Sequence, residues 1–186
     1  NLSGAHEELR GLAEKLNIPV ATSPKAKGAF PENHLLSLGV FGFGASLLAE
    51  KYLLSEEVDV LLVAGTSLGE AATGGWDSRL ESKKALIQID IDPQEISKNY
   101  PATYGILGDA KVALRELNFQ IERDMRWVQD REGLTLPWIK EFKGSNPRFI
   151  TPEKMDSEEM PLKPQRVMKE LQEALSYDAT LFVDAG

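Results

Sequence analysis

The sequence predicts an α/β protein: a domain built on a parallel sheet, then a linker, then the opening of a second, partial α/β unit. Three observations carry this. Val58-Asp59-Val60-Leu61-Leu62-Val63-Ala64-Gly65 and Ala85-Leu86-Ile87-Gln88-Ile89-Asp90-Ile91-Asp92 are near-continuous apolar runs of the kind found in strands buried on both faces, as parallel strands are. Amphipathic helical stretches alternate with such runs, the order of a βαβ chain. Past residue 144 the prolines at 147, 152, 161 and 164 mark a linker.

The elements follow in order. Ser3 is placed to cap a helix whose first turns carry Glu7 and Glu8 and whose apolar positions Leu9, Leu12, Ala13 and Leu16 share one face, to about Lys15. Ile18 to Thr22 reads as a short strand, and Ser23 to Leu36, rich in Pro, Gly and Lys, as a loop. The glycine-spaced turn Gly39-Val40-Phe41-Gly42-Phe43-Gly44 leads into a helix from Ala45 to about Leu54. After the second apolar run, Pro93 begins a short helical turn through Ile96. Tyr104 to Leu107 is a strand, and Asp109 caps a helix from Ala110 to Leu117.

Past Asn118 the residues Trp127, Trp138 and Phe142 indicate a helical stretch interrupted near Gly133 to Pro137. Pro164 suits the first position of a helix carrying Val167, Met168, Leu171 and Leu175 on one face, and Thr180 to Asp184 reads as a strand. One parallel sheet is therefore expected from Pro19 to Thr22, Val58 to Ala64, Ala85 to Asp90 and Gly105 to Leu107. The expected domains are 1–120, 121–163 as helical stretch and linker, and 164–186 as the start of a further domain. A helix that opens an α/β domain normally follows a strand, so the first strand of the domain is expected upstream, and more chain downstream.

Composition narrows the function classes. The net charge of −8 argues against nucleic acid as a partner, because phosphate binding needs clustered Lys and Arg. Without cysteine there are no disulfides, thiolate nucleophiles or Cys-type zinc sites. His6 and His34 are far apart and form no HExxH pattern, so no metal site is expected. No apolar run approaches the roughly 18 residues a membrane helix requires, so no membrane partner is expected. The opening residues lack the basic and apolar regions of a signal peptide, and the expected location is the cytoplasm.

Candidate chemistry sits where strands end. Asp90 and Asp92 occupy a strand end where an acidic residue often bonds a ribose hydroxyl; the alternative is that they cap the following turn. Gly39, Gly42 and Gly44 would let backbone approach a phosphate at a helix start, although a tight turn is the commoner explanation of such a pattern. The loop Gly65-Thr66-Ser67-Leu68-Gly69-Glu70 follows the most apolar strand, so Ser67, Glu70, Thr73 and Asp77 are candidates to line a crevice or to form an ordinary polar loop. Asp109 is split between helix cap and ribose contact. Trp127 and Trp138 read as packing residues, and Asp156 to Glu159 as solvated linker.

Several ordered segments resemble the central domain of acetolactate synthase-like, thiamine-diphosphate-dependent enzymes. They are Gly4-Ala5 with Glu7-Glu8-Leu9 and Leu12 to Leu16; Ile18 to Thr22; Lys27-Gly28-Ala29-Phe30-Pro31-Glu32-Asn33-His34; Leu38 to Gly44; Gln88 to Pro93 with Ile96 and Lys98-Asn99-Tyr100; and Gly108-Asp109-Ala110. The match runs from about Gly4 to Leu117, and Pro164 to Gly186 resembles the opening of that family's diphosphate-binding domain.

The resemblance implies a Rossmann-like central domain of the DHS-like NAD/FAD-binding kind. It implies a parent enzyme, a lyase or transferase, using thiamine diphosphate and magnesium on a 2-keto acid or related carbonyl substrate. It places no catalytic residue and no metal ligand in this chain. The partners it implies are the rest of the polypeptide and further copies, as a homodimer or homotetramer. In flavin-binding members the central domain holds FAD, and the matching positions here are Gly42, Phe43, Gly44, Gly65, Asp90 and Asp109. Where that family carries two arginines near the flavin phosphates, this sequence has Ser67 and Ala71. Weak or absent FAD binding is therefore expected, with a smaller adenine nucleotide left open. The competing readings are a stand-alone nucleotide-binding module and a structural domain with an empty cleft.

Overall fold

Helix α1 (His6–Leu16) begins where Gly4, at φ +63°, has turned the chain. Ser3 lies outside that turn, so Ala5 rather than Ser3 occupies the N-cap and no side chain caps the helix. Glu7 and Glu8 do lie in the first turn, where they oppose the positive end of the helix dipole. In this computed structural model residues 2–81, 84–124, 135–176 and 178–182 are described. The chain falls into two compact units, Asn1–Arg148 and Phe149–Gly186.

The first unit contains parallel strands, as expected, in two hydrogen-bonded sheets rather than one. Strand β1 (Val20–Thr22) pairs with β2 (Ser37–Val40), a strand the sequence does not predict, whose last two residues fall in the glycine-spaced turn expected from Gly39. Glycine at 39 masked the apolar pattern, yet Ser37, Leu38 and Gly39 are all buried. Strands β3 (Val60–Ala64), β4 (Ala85–Asp90) and β5 (Tyr104–Leu107) form the second sheet in that order, with Ala64 opposite Ile89 and Asp90 opposite Leu107.

Side chains alternate across that sheet as strand geometry requires. Leu62, Ile89 and Ile106 face one side, where they meet Leu12 of α1 and Leu114 of α4 (Ala110–Arg123). Val63 and Leu86 face the other, packing with Leu38, Phe41 and Leu48. Ile89 and Leu114 are buried almost completely, each contributing roughly 1.5–3 kcal/mol from apolar area removed from water.

Helix α2 (Leu47–Leu53) starts two residues after the expected Ala45, because the Ser46 hydroxyl accepts the Ala49 N–H and fixes the cap there. A four-residue helix, α3 (Glu70–Thr73), follows β3. Asp109 caps α4 as expected, accepting the Val112 N–H at 3.1 Å, and α4 continues six residues past Leu117.

Helix α5 (Thr135–Ser145) belongs to the first unit, whereas the sequence reading set 121–163 apart. Ile139 is wholly buried in the core with Phe41 and Val63, and Trp138 stacks on Phe142 at 5.1 Å beside Tyr52. Trp127 and Gly133 lie outside the described residues, but Thr135 to Pro137, expected within an interruption, form the first turn of α5, where a proline breaks no intrahelical bond.

In the second unit, α6 (Pro164–Ala174) starts on its proline as expected and packs against the 3-10 turn Pro152–Asp156, with Lys169 2.5 Å from Asp156. No residue of α6 is buried. Thr180 to Phe182 form no strand, and the remainder of the strand expected there lies outside the described residues. A strand needs a neighbour for its backbone groups, and none of the described strands pairs with these residues. Among the described residues no helix is long and apolar enough to cross a membrane.

Candidate functional site

Because β3, β4 and β5 are parallel, their carboxyl ends open on the same side, where α/β sheets place their ligands. Gly65, Asp90 and Asp109 follow or end β3, β4 and β5 there. The turn after β2 joins them: the Phe43 N–H donates to Ala71 O at 2.7 Å, tying Gly42 and Phe43 to the loop after β3.

The glycines divide into two kinds. Gly42 has φ +95°, and a Cβ there would lie 2.2 Å from Ala71 O, so its role is close packing of one loop on another. A Cβ at Gly44 (φ +70°) or Gly65 (φ +65°) would meet nothing within 4 Å, so these two serve the turn itself rather than a close approach, and the Gly65 N–H already donates to Ile89 O at 2.9 Å. Phe43 projects its ring into solvent with its N–H already engaged. The start of α2 has its own hydroxyl ligand in Ser46, which also donates to Leu38 O.

The acids are partly spent on their own turns. Asp90 accepts the Asp92 N–H at 3.0 Å, and Asp92 accepts that of Gln94 at 2.9 Å, so both act as turn residues. Asp90 is nevertheless buried at the strand end, while Asp92 is exposed.

Of the polar residues after β3, Thr73 is wholly buried, donates to Gly69 O and accepts the Trp76 N–H. Asp77 caps the turn at Arg79 and meets its guanidinium at 2.6 Å, which holds the Asp77 carboxyl below its usual range. Arg79 is thus already matched with a carboxylate. Ser67 and Glu70 carry no comparable structural bond through their side chains in the described network.

Residues that the sequence reading passed over hold these loops. Gln88, 1% exposed, donates to Thr66 O at 3.2 Å and Glu95 O at 2.9 Å and accepts the Ser97 N–H at 2.9 Å. Asn99 donates to Ser67 O at 2.7 Å, and the Tyr100 hydroxyl to Asp77 O at 3.0 Å. One signal pointed to Gln88: a polar side chain inside an otherwise apolar run must find partners where it is buried.

At the opposite end of β2 lies a cavity of about 200 Å³ lined by Glu32, Ser37, Leu38, Leu48, Asn146 and the cations of Lys143 and Arg148. Its cations are engaged within the fold. Arg148 meets Glu32, and the Lys143 ammonium donates to the carbonyls of His34, Leu35 and Ser37. Burial, with help from Arg148, pushes the Lys143 pKa down. This is an anchor for α5.

Among the described residues no group of three or more His, Asp or Glu side chains is gathered as a metal site requires.

Comparison with known proteins accounts for this scaffold. Residues 1–117 match the family described as thiamine pyrophosphate enzyme, central domain. The “Probable acetolactate synthase large subunit” of Methanococcus aeolicus is 41% identical over 174 residues, covering 91% of this chain and 28% of that protein. The acetolactate synthase large subunit of Buchnera aphidicola is 33% identical over 184 residues, covering 99% of this chain and 31% of its own length. An X-ray structure from Mycobacterium smegmatis, assigned to the thiamin diphosphate-dependent enzymes, superposes with a TM-score of 0.50 at 27% identity over 63% of this chain and 22% of that one. The chain thus spans less than a third of the length of these relatives, and it belongs to the central-domain family of thiamine pyrophosphate enzymes.

Proposed function

We propose that the protein containing this chain is a thiamine-diphosphate- and magnesium-dependent enzyme of the acetolactate synthase type, forming or breaking the bond next to a 2-keto carbonyl. The observation that carries this reading is the resemblance to acetolactate synthase large subunits along nearly the whole chain, past the end of the central-domain match at residue 117. In this reading residues 1–148 are scaffold, residues 164–186 open the diphosphate-binding domain, and the chain alone is not catalytic. Further copies of the same polypeptide and the remainder of its own chain are its partners, and the cytoplasm is its location. Acetolactate formed from pyruvate by the full-length protein with thiamine diphosphate and magnesium is the expected result. Its absence, with 2-keto acids of other chain lengths also untouched, overturns the reading. Carbon dioxide release from pyruvate by residues 1–186 alone overturns the scaffold role.

In the same reading the crevice holds FAD weakly or not at all. A flavin dinucleotide brings a pyrophosphate that needs charge-assisted donors. Ser67 and Ala71 supply no cation, Arg79 is matched with Asp77, and the N–H of Phe43 is committed to Ala71 O. Asp90, at the carboxyl end of β4, with the uncrowded turn at Gly44, suits the ribose of a smaller adenine nucleotide. Equilibrium dialysis of the full-length protein against FAD and ADP tests this. FAD bound stoichiometrically at micromolar concentration or tighter overturns it.

A further inference from the structure

The crevice has two lips, and both bend in ways side chains seldom adopt. Among the described residues four non-glycine positions have positive φ. Asn17 closes α1; the other three, Leu68 (φ 51°), Trp76 (φ 58°) and Ser97 (φ 60°), lie in the loops after β3 and β4. Left-handed backbone at residues bearing a Cβ persists only where surrounding bonds hold it. The Trp76 N–H is held by Thr73 Oγ1 and the Leu68 N–H by Thr66 Oγ1, while Ser97 is held directly by Gln88, which also grips the Thr66 carbonyl. Gln88 uses both hydrogens of its amide on one carbonyl from each lip, Thr66 and Glu95, and its oxygen on the N–H of Ser97. Asn99 and Tyr100 add one bond each from the second lip to the first. Gln88 lies two residues before Asp90 on β4, so both side chains project to the same face of the sheet, one beneath the lips and one at their opening.

We propose that Gln88 is the positioning residue of this crevice: it fixes the separation of the loops after β3 and β4 and holds Leu68 and Ser97 in their left-handed conformations. It touches no ligand in this role and acts through Thr66, Glu95 and Ser97. A rigid lip spacing is what a crevice needs to select a ligand by shape, since a site on loops is only as exact as the bonds beneath them. Alanine-like filling of the core does not explain three saturated bonds on a residue 1% exposed, for an apolar side chain of equal volume would pack there without them. This goes beyond the nucleotide reading and rests on it only for its second readout.

The experiment uses full-length protein with Gln88→Met, which keeps volume and removes every bond, and Gln88→Glu, which keeps an acceptor for Ser97 and loses both donors. Hydrogen–deuterium exchange is followed in peptides covering 65–78 and 93–103, with α1 and α4 as internal references. Gln88→Met is expected to speed exchange at least tenfold in both lips and to leave the references unchanged. Gln88→Glu is expected to free the first lip while the Ser97 amide stays protected, an asymmetry that mere filling of space does not produce. Unchanged lips in Gln88→Met, or equal loss of protection in lips and references, overturns the proposal. If Gln88→Met does not fold, Asn99→Ala, which removes an exposed bond, carries the test: it should speed exchange at 66–69 alone in a Gln88 background, and by a further factor with Gln88→Glu. Titration of wild type and variants with ADP is the second readout. Failure of wild type to bind ADP or FAD removes the nucleotide reading, while the exchange data still decide on Gln88.

Discussion

Gly42 is held by its neighbours. Its φ of +95° is a conformation that L side chains rarely adopt, and the space a Cβ would need is filled by Ala71 O at 2.2 Å and the Ala72 carbonyl. Gly42→Ala should therefore cost at least about 1–3 kcal/mol, from backbone strain before any clash is relieved. Gly44→Ala shares the positive φ without the clash and should cost less. Urea titration of the two variants side by side checks the order, and equal losses would show that strain alone matters. The sequence displayed these glycines but not which of them touches a neighbour, because close approach involves Ala71, nearly thirty residues away. Asp109 was legible to a greater degree: a residue that follows Gly108 and precedes an apolar helix has its cap partner, Val112, three positions on.

Helix α5 shows what an element gains from contacts distant in sequence. Trp138 and Phe142 were visible in the sequence, but their destination against Tyr52 was not, and neither was the role of Ile139 in the core. Ile139→Ala should cost about 2–5 kcal/mol, the range for a fully buried aliphatic side chain, and thermal or urea unfolding measures it. A loss below about 1 kcal/mol would mean that α5 is peripheral to the first unit.

The loop before β2 sets a pH dependence through Glu32. Burial raises the pKa of Glu32, while the hydrogen bond and charge of Lys27, with Arg148, outweigh it and bring the value below the usual carboxylate range. A carboxyl group whose pKa is lower folded than unfolded stabilises the fold above its unfolded value, about 4.3, and loses that contribution as pH falls through the folded value. Stability should therefore decline from about pH 4.3 downward, and Glu32→Gln should flatten that part of the curve while lowering stability at pH 7. A slope unchanged by the substitution would assign the decline to other carboxylates.

At the scale of the whole chain, the two units differ in how they are supported. The first buries two apolar clusters around its sheets, whereas α6 in the second buries none of its residues, leaving Val167, Met168 and Leu175 at least 40% exposed. A short helix without tertiary burial is marginal in water. Thermolysin should thus cut the isolated chain within 149–186 first and leave a resistant product ending near Arg148. Equal resistance of both units would show that the second is stable by itself. Spacing places Val167, Met168 and Leu171 on α6, whereas Leu175, expected to complete that stripe, is the extended residue that ends the helix; whether the stripe is covered depends on surfaces that spacing does not encode.

The sequence by itself determined the local order of the chain: the apolar runs of β3 and β4, the strand at Tyr104–Leu107, the turns at proline and glycine, and the family, with Asp109 offered as a cap alongside a ribose contact. These depend on residues within a few positions of one another, or on segments in a fixed order. Only the tertiary structure decided that β1 takes Ser37–Val40 as its partner, that the first unit extends to Arg148, and that Gln88 joins the two loops above β3 and β4. Each of those outcomes is a hydrogen bond or a buried contact between groups far apart in sequence. The free energy of burial follows the partner found in space, and no local pattern of residues names that partner.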